Sequence, residues 1–174
     1  LAQTRLYDEW DHRAADSLFE RALLKNRSLP EAFSHYGWSL LLSGQIDSGL
    51  ASLRRAEEVD PLTGLWPAFT ASAASWSGRQ ALAHEAIGRA LRVNAELPIT
   101  QYIHGTILAL DGDYADAIAA ERRAVAGNRV WKFGLGYVLA RAGQREEARR
   151  IADEMSLAPD GLAAWGLAEI HAAL

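Results

Sequence analysis

The chain has 174 residues, 33 of them alanine against 13 isoleucines plus valines, no cysteine and a formal net charge of −4. Alanine is the strongest helix former and β-branched residues favour strands, so this composition argues for helix and against an extensive sheet. Absent cysteine excludes disulfides, thiolate metal sites and thiol nucleophiles, and a mildly acidic balance gives no general pull toward nucleic acid or anionic membrane.

An apolar content of 49% is too high for a disordered chain. The longest apolar stretch, Leu97 to Leu110, is broken by Thr100, Gln101, His104 and Thr106, so no membrane span is expected. No basic region followed by an apolar run opens the chain, so no signal peptide is expected and the expected location is cytoplasmic. The helical pattern is already running at Leu1 and still running at Leu174. The chain is therefore expected to be a piece of a longer protein.

Small residues recur along the chain at one interval. Trp10, Gly44, Gly78 and Gly112 are each 34 apart, as are Gly37, Ala71 and Gly105. Two alanine ladders keep the same step: Ala15, Gly49, Ala83, Ala117 and Ala22, Ala56, Ala90, Ala124. The interval then shortens to 31 in the ladders that continue, giving Gly136, Gly143 and Ala148. Independent ladders that slip together define repeats of one structural unit. Units are expected at about 1–29 (partial), 30–63, 64–97, 98–128, 129–157 and 158–174 (partial), forming one continuous domain.

Within a unit the spacing is helical. Ala15, Phe19, Ala22 in the first unit, Gly49, Leu53, Ala56 in the second and Ala83, Ile87, Ala90 in the third fall at i, i+4, i+7 on one face. In the second unit a preceding stripe, Tyr36, Gly37, Leu40 and Leu41, carries a mid-helix glycine where a neighbouring helix must come close. Gly44, Gly78, Gly112 and Gly143 each follow a helical run and are expected to end it in the left-handed conformation. Each unit is thus predicted to be a helix–turn–helix hairpin.

The pattern resembles the tetratricopeptide repeat. In the second unit it rests on Gly37, Gly44, Gly49, Leu53, Ala56 and Pro61. In the third it rests on Ala71, Gly78, Ala83, Ile87 and Ala90, with Ala95 in place of proline. The fourth keeps Gly105, Gly112, Ala117 and Ala124, but Glu121 replaces the large apolar residue and Arg129 the proline. The fifth keeps Gly136, Gly143 and Ala148 and then weakens to Ala152 and Met155, and the closing half unit offers Leu167, Ala168 and His171. The resemblance implies an all-α solenoid, a right-handed superhelix of about eleven antiparallel helices. It also implies a non-catalytic, cofactor-free scaffold for protein partners. Two segments, Tyr7 to Ala22 and Gly136 to Ala148, are further similar to the C-terminal repeat arrays of large bacterial regulators that carry a winged-helix or cyclase domain. That likeness implies a regulatory module of a larger bacterial protein.

No constellation of catalytic or metal-binding residues stands out. His84-Glu85 begins a zinc-protease signature, but Gly88 stands where the second histidine belongs. Asp111 to Asp116 lacks the ligand ladder and closing glutamate of a calcium loop. Glu57-Glu58-Val59-Asp60 spells a chaperone tail, yet it is internal and runs into Pro61. Arg21, Arg55, Arg89 and Arg123 also recur at 34 residues. Interleaved with Glu20, Glu57 and Glu121, they are expected on a solvated outer face rather than as a track for nucleic acid.

The resemblance implies that the concave surface is built from the first helix of each hairpin. Mapped onto this chain, the anchors are Trp38, Phe69, Ser72, Trp76, Tyr102, Thr106, Phe133, Tyr137 and Arg141. Family members that grip chaperone tails use basic residues at such places, and none occurs here in the second, third or fourth unit. The expected partner is therefore an apolar or aromatic peptide or helix, with buried aromatics as its hot spots. Two alternatives remain: a module that senses a small ligand or signalling peptide, and self-association through uncapped solenoid ends. Some of these rings must also pack between adjacent hairpins.

Overall fold

A computed structural model describes residues 2–7, 9, 11–157 and 161–174, with the backbone alone at 7, 12 and 161–163. Trp10, expected one period before Gly44, lies outside the described residues, as do the residues that open the final half unit. The described residues form eleven α-helices and one short 3₁₀ turn, with no strand. Their helices gather into two compact units, residues 1–94 and 95–174.

In the first unit, α1 (Ala2–Tyr7) and α2 (His12–Lys25) precede two hairpins, α3 (Pro30–Leu42) with α4 (Ile46–Val59) and α5 (Leu65–Trp76) with α6 (Gln80–Asn94). Asp11 caps α2 by accepting from the Ala14 backbone N–H at 3.1 Å. Pro30 occupies the first turn of α3, where its missing N–H costs nothing. In the second unit, α7 (Pro98–Asp111) pairs with α8 (Tyr114–Gly127). A 3₁₀ turn (Arg129–Trp131) then leads into α9 (Lys132–Arg141), which pairs with α10 (Arg145–Ser156), and α11 (Gly161–Ala173) packs on both.

The hairpin turns follow one design. Gly44 sits at φ +80°, and Gly78, Gly112 and Gly143 are likewise left-handed at +72°, +90° and +79°. Behind each glycine the next residue's N–H reaches back to a carbonyl five residues earlier: Gln45 to Leu40, Arg79 to Ala74, Asp113 to Leu108 and Gln144 to Leu139, all at 2.8–2.9 Å. This closes the end of the first helix with otherwise orphaned carbonyls satisfied. A Cβ at Gly44 would meet nothing within 4 Å, so the backbone angle and not space selects glycine there.

Inside the hairpins the small residues work by proximity. A Cβ on Gly37 would stand 2.9 Å from the Gly49 carbonyl oxygen, and one on Gly49 would stand 2.8 Å from that of Gly37. Helices α3 and α4 therefore touch backbone to backbone. Around such crossings the core is alanine-rich: Ala15, Ala56, Ala71, Ala83, Ala90, Ala117, Ala124 and Ala148 are all fully buried. The large apolar place of the unit is filled by Phe19, Leu53 and Ile87, and in the fourth unit by Glu121, all buried. No helix among the described residues is long and apolar enough to cross a membrane.

Candidate functional site

In the first unit, Trp38 on α3 and Trp76 on α5 meet edge to face, ring centroids 5.6 Å apart at 72°. With Leu41, Leu42, Ile46, Ala73 and Ser77 they line a shallow hollow of about 150 Å³ that carries no charged side chain. Trp76 is 68% exposed and Leu42 49% exposed, although both are large and apolar. Such a cluster raises the question of what covers it, because single exposed leucines are ordinary and contiguous aromatic patches are not. Trp76 stands free because it is the last residue of α5: the chain turns away through Ser77 and Gly78, whose hydroxyl and N–H return to the carbonyls of that same last turn.

Phe69 and Ser72 precede Trp76 on α5. Ser72 is half-buried. Phe69, half-buried as well, lies edge-on to Trp66 at 6.3 Å, and the Trp66 indole N–H donates to Asp60 at 2.9 Å. Hydrogen bonds from Thr63 and then Trp66 hold the Asp60 carboxyl below the usual range. This tie fixes the entry to α5 and thereby the direction of its Trp76 end.

In the second unit, Tyr102 on α7 stacks on Trp131 of the 3₁₀ turn at 4.7 Å and 18°. Phe133 meets Tyr102 edge-on at 5.3 Å and Trp165 of α11 at 5.5 Å. Phe133 is only 2% exposed, covered by Trp165 and by Gly166, which lies directly against it. Of the expected groove anchors it is thus a core residue, held down by the helix that follows. Thr106 donates its hydroxyl to the Tyr102 carbonyl at 3.0 Å, a bond that keeps it against its own helix. Arg141 donates to the Tyr137 hydroxyl at 2.8 Å and lies 5.8 Å from that ring's centre, so these two expected anchors pair with each other.

Trp66, Trp131 and Trp165 were not expected at these clusters. Trp66 and Trp131 stand at corresponding places of the third and fifth units, just inside the first helix or turn. Comparing those two places would have found them, because aromatics at one unit position share one packing role.

Glu121 departs from its expected place on a solvated face. It is fully buried, neither carboxylate oxygen has a hydrogen-bond partner, and burial pushes its pKa well above the usual carboxylate range. Room for it comes from two glycines. A Cβ on Gly105 would stand 2.8 Å from Glu121 Oε1, and a Cβ on Gly134 would stand 2.6 Å from Oε2. The other acidic and basic residues of the arginine ladder behave differently from one another. Arg55 pairs with exposed Glu58, Arg89 ties α6 to Glu57 on α4 at 3.1 Å, and Arg123 donates to Gln101 on α7 at 2.9 Å. The latter two brace neighbouring helices instead of forming an open basic track. Among the described residues no three His, Asp or Glu side chains converge as a metal site requires.

No family model matches the sequence, and no curated protein matches it. Solved structures do. A thermophilic tetratricopeptide-repeat protein of Thermus thermophilus superposes with a TM-score of 0.80 at 22% identity, over 97% of this chain and 95% of that one. A tetratricopeptide-repeat protein from Parabacteroides merdae gives 0.67 at 17% identity, over 99% and 70%. YrrB, described as a tetratricopeptide-repeat protein with an unusual peptide-binding site, gives 0.58 at 16% identity, over 98% and 87%. With paired helices, left-handed glycine turns and small residues at each crossing, the chain has the tetratricopeptide-repeat fold, an all-α solenoid architecture.

Proposed function

We propose that the chain is a non-catalytic protein–protein interaction scaffold that binds an apolar or aromatic segment of a partner on the Trp38–Trp76 face. The observation that carries this reading is Trp76, a tryptophan exposed over two thirds of its surface beside Trp38 and Leu42 in a hollow without charge. Tryptophans in such settings dominate binding energy where a partner excludes water from them. The hollow, about 150 Å³, is small against the roughly 300–1,000 Å³ of small-molecule sites. That favours one or two inserted side chains over an enclosed ligand. The peptide-binding description of YrrB agrees with this kind of use. The likeness of Tyr7 to Ala22 and of Gly136 to Ala148 to the repeat arrays of large bacterial regulators favours a regulatory module within a larger protein.

The test is a peptide-display selection on the chain followed by calorimetry. Selected peptides should carry aromatic or large aliphatic residues, and Trp76→Ala should remove binding with little change in melting temperature. Equal affinity for wild type and Trp76→Ala would sink the reading.

A further inference from the structure

A larger cavity lies between α2, α3 and α4 in the first unit, about 460 Å³ against about 150 Å³ for the Trp38–Trp76 hollow. That size falls within the roughly 300–1,000 Å³ of small-molecule sites. Its walls are largely apolar: Leu23 and Leu24 from α2, and the rings of Phe33 and Tyr36 from α3. Leu24 is 73% exposed, because α2 ends one residue later and the chain leaves through extended Asn26. The Asn26 side chain accepts from the Ser28 N–H at 2.9 Å, a tie that fixes the stretch holding Arg27.

Three charged side chains line this cavity: Glu20, Arg27 and Arg55. Arg55 is engaged by Glu58 one turn along α4, and that pair carries no net charge. Glu20 accepts from the Tyr36 hydroxyl at 2.8 Å, a neutral donor, and has no ionic partner among the described residues. Arg27 has neither a hydrogen-bond nor an ionic partner among them. The other charged residues of these helices, Arg21, Lys25, Glu31 and Arg54 among them, line no part of the cavity. One unpaired anion and one unpaired cation therefore share an apolar space. About 7–8 Å of helix separates Glu20 from the Lys25 end of α2, and Arg27 stands beyond that end.

We propose that this cavity binds a small zwitterion with an apolar body, of the length of an unmodified apolar dipeptide. Its ammonium pairs with Glu20, its carboxylate with Arg27, and its apolar side chains lie between Leu23, Leu24 and Phe33. A simple anion would meet Glu20 and a simple cation would meet Arg27, each a repulsion, whereas a neutral dipole satisfies both ends. A single amino acid holds its two charges on one carbon, too close for this span, while two residues reach up to about 7 Å. The cavity shares no residue with the Trp38–Trp76 hollow, so each reading can fail alone.

The test titrates leucyl-leucine into the 174-residue chain and follows the Leu24 methyl and Phe33 ring signals by NMR. Saturable shifts at both are expected. N-acetyl-leucyl-leucine and leucyl-leucine amide should each bind about two- to fivefold more weakly, the worth of one exposed ion pair. Glu20→Gln, which still accepts from Tyr36, should erase the penalty of acetylation and keep that of amidation. Arg27→Gln should do the reverse. Both side chains are exposed, so circular dichroism should show an unchanged fold. Free leucine should bind more weakly than leucyl-leucine, and Trp76→Ala should leave the titration unchanged. Absent shifts at Leu24 and Phe33, equal affinity for the capped peptides, or penalties that persist in both variants would each overturn the proposal. So would free leucine binding as tightly, or binding lost with Trp76→Ala.

Discussion

Glu121 and Gly134 occupy one space: the carboxylate oxygen of the first lies 2.6 Å from where a Cβ on the second would stand. Helix α9 can lie against α8 there only because residue 134 has no side chain. Gly134→Ala should therefore destabilise the chain by about 1–3 kcal/mol through overpacking, more than the gain of up to ~1 kcal/mol in helix propensity. Urea unfolding measures it. The cost should shrink in a Glu121→Ala background, since the two changes share a space and cannot add.

Glu121 also sets a pH dependence. Its folded pKa is raised by burial, so the folded state holds a proton that the unfolded chain releases first. The stability this group contributes is complete below the unfolded pKa, near 4.3, and is lost as pH rises through the folded value. Glu121→Gln, which cannot ionise, should lose none of it. The stability difference between Glu121→Gln and wild type should move in favour of the variant as pH rises from about 4.5 to about 8. A difference that stays flat would mean the carboxyl is solvated.

The two kinds of aromatic should separate on mutation. Phe133→Ala removes a ring that is 2% exposed and should cost about 3–5 kcal/mol. Trp76→Ala removes one that is 68% exposed and should stay within about 0.5 kcal/mol. Guanidinium melts of both variants give the comparison.

Gly44→Ala tests the turn. At φ +80° an alanine pays a left-handed penalty of about 1–2 kcal/mol with no clash, since nothing lies within 4 Å of the new Cβ. A loss of that size by thermal melting, with the binding face unchanged, is the expected outcome.

The hairpin design was legible in the sequence because it depends on backbone rules that leave marks at fixed spacing. Gly44, Gly78, Gly112 and Gly143 are required by φ, and Gly37 and Gly49 by contact between helix backbones. What decides exposure is not local. Phe133 and Trp76 looked alike as first-helix aromatics, yet Phe133 is covered by Trp165 and Gly166 from a later helix, while Trp76 ends its own helix uncovered. Glu121 was legible as a departure from the apolar pattern but not as a buried group, because its room is made by glycines 16 residues before it and 13 after.

The central claim is that partners dock on Trp38 and Trp76. Hydroxyl-radical footprinting of the chain with and without a display-selected peptide tests it most directly. Protection of Trp76 and Trp38, with Phe133 unreactive throughout, is the predicted result. Full reactivity of Trp76 in the saturated complex would contradict it.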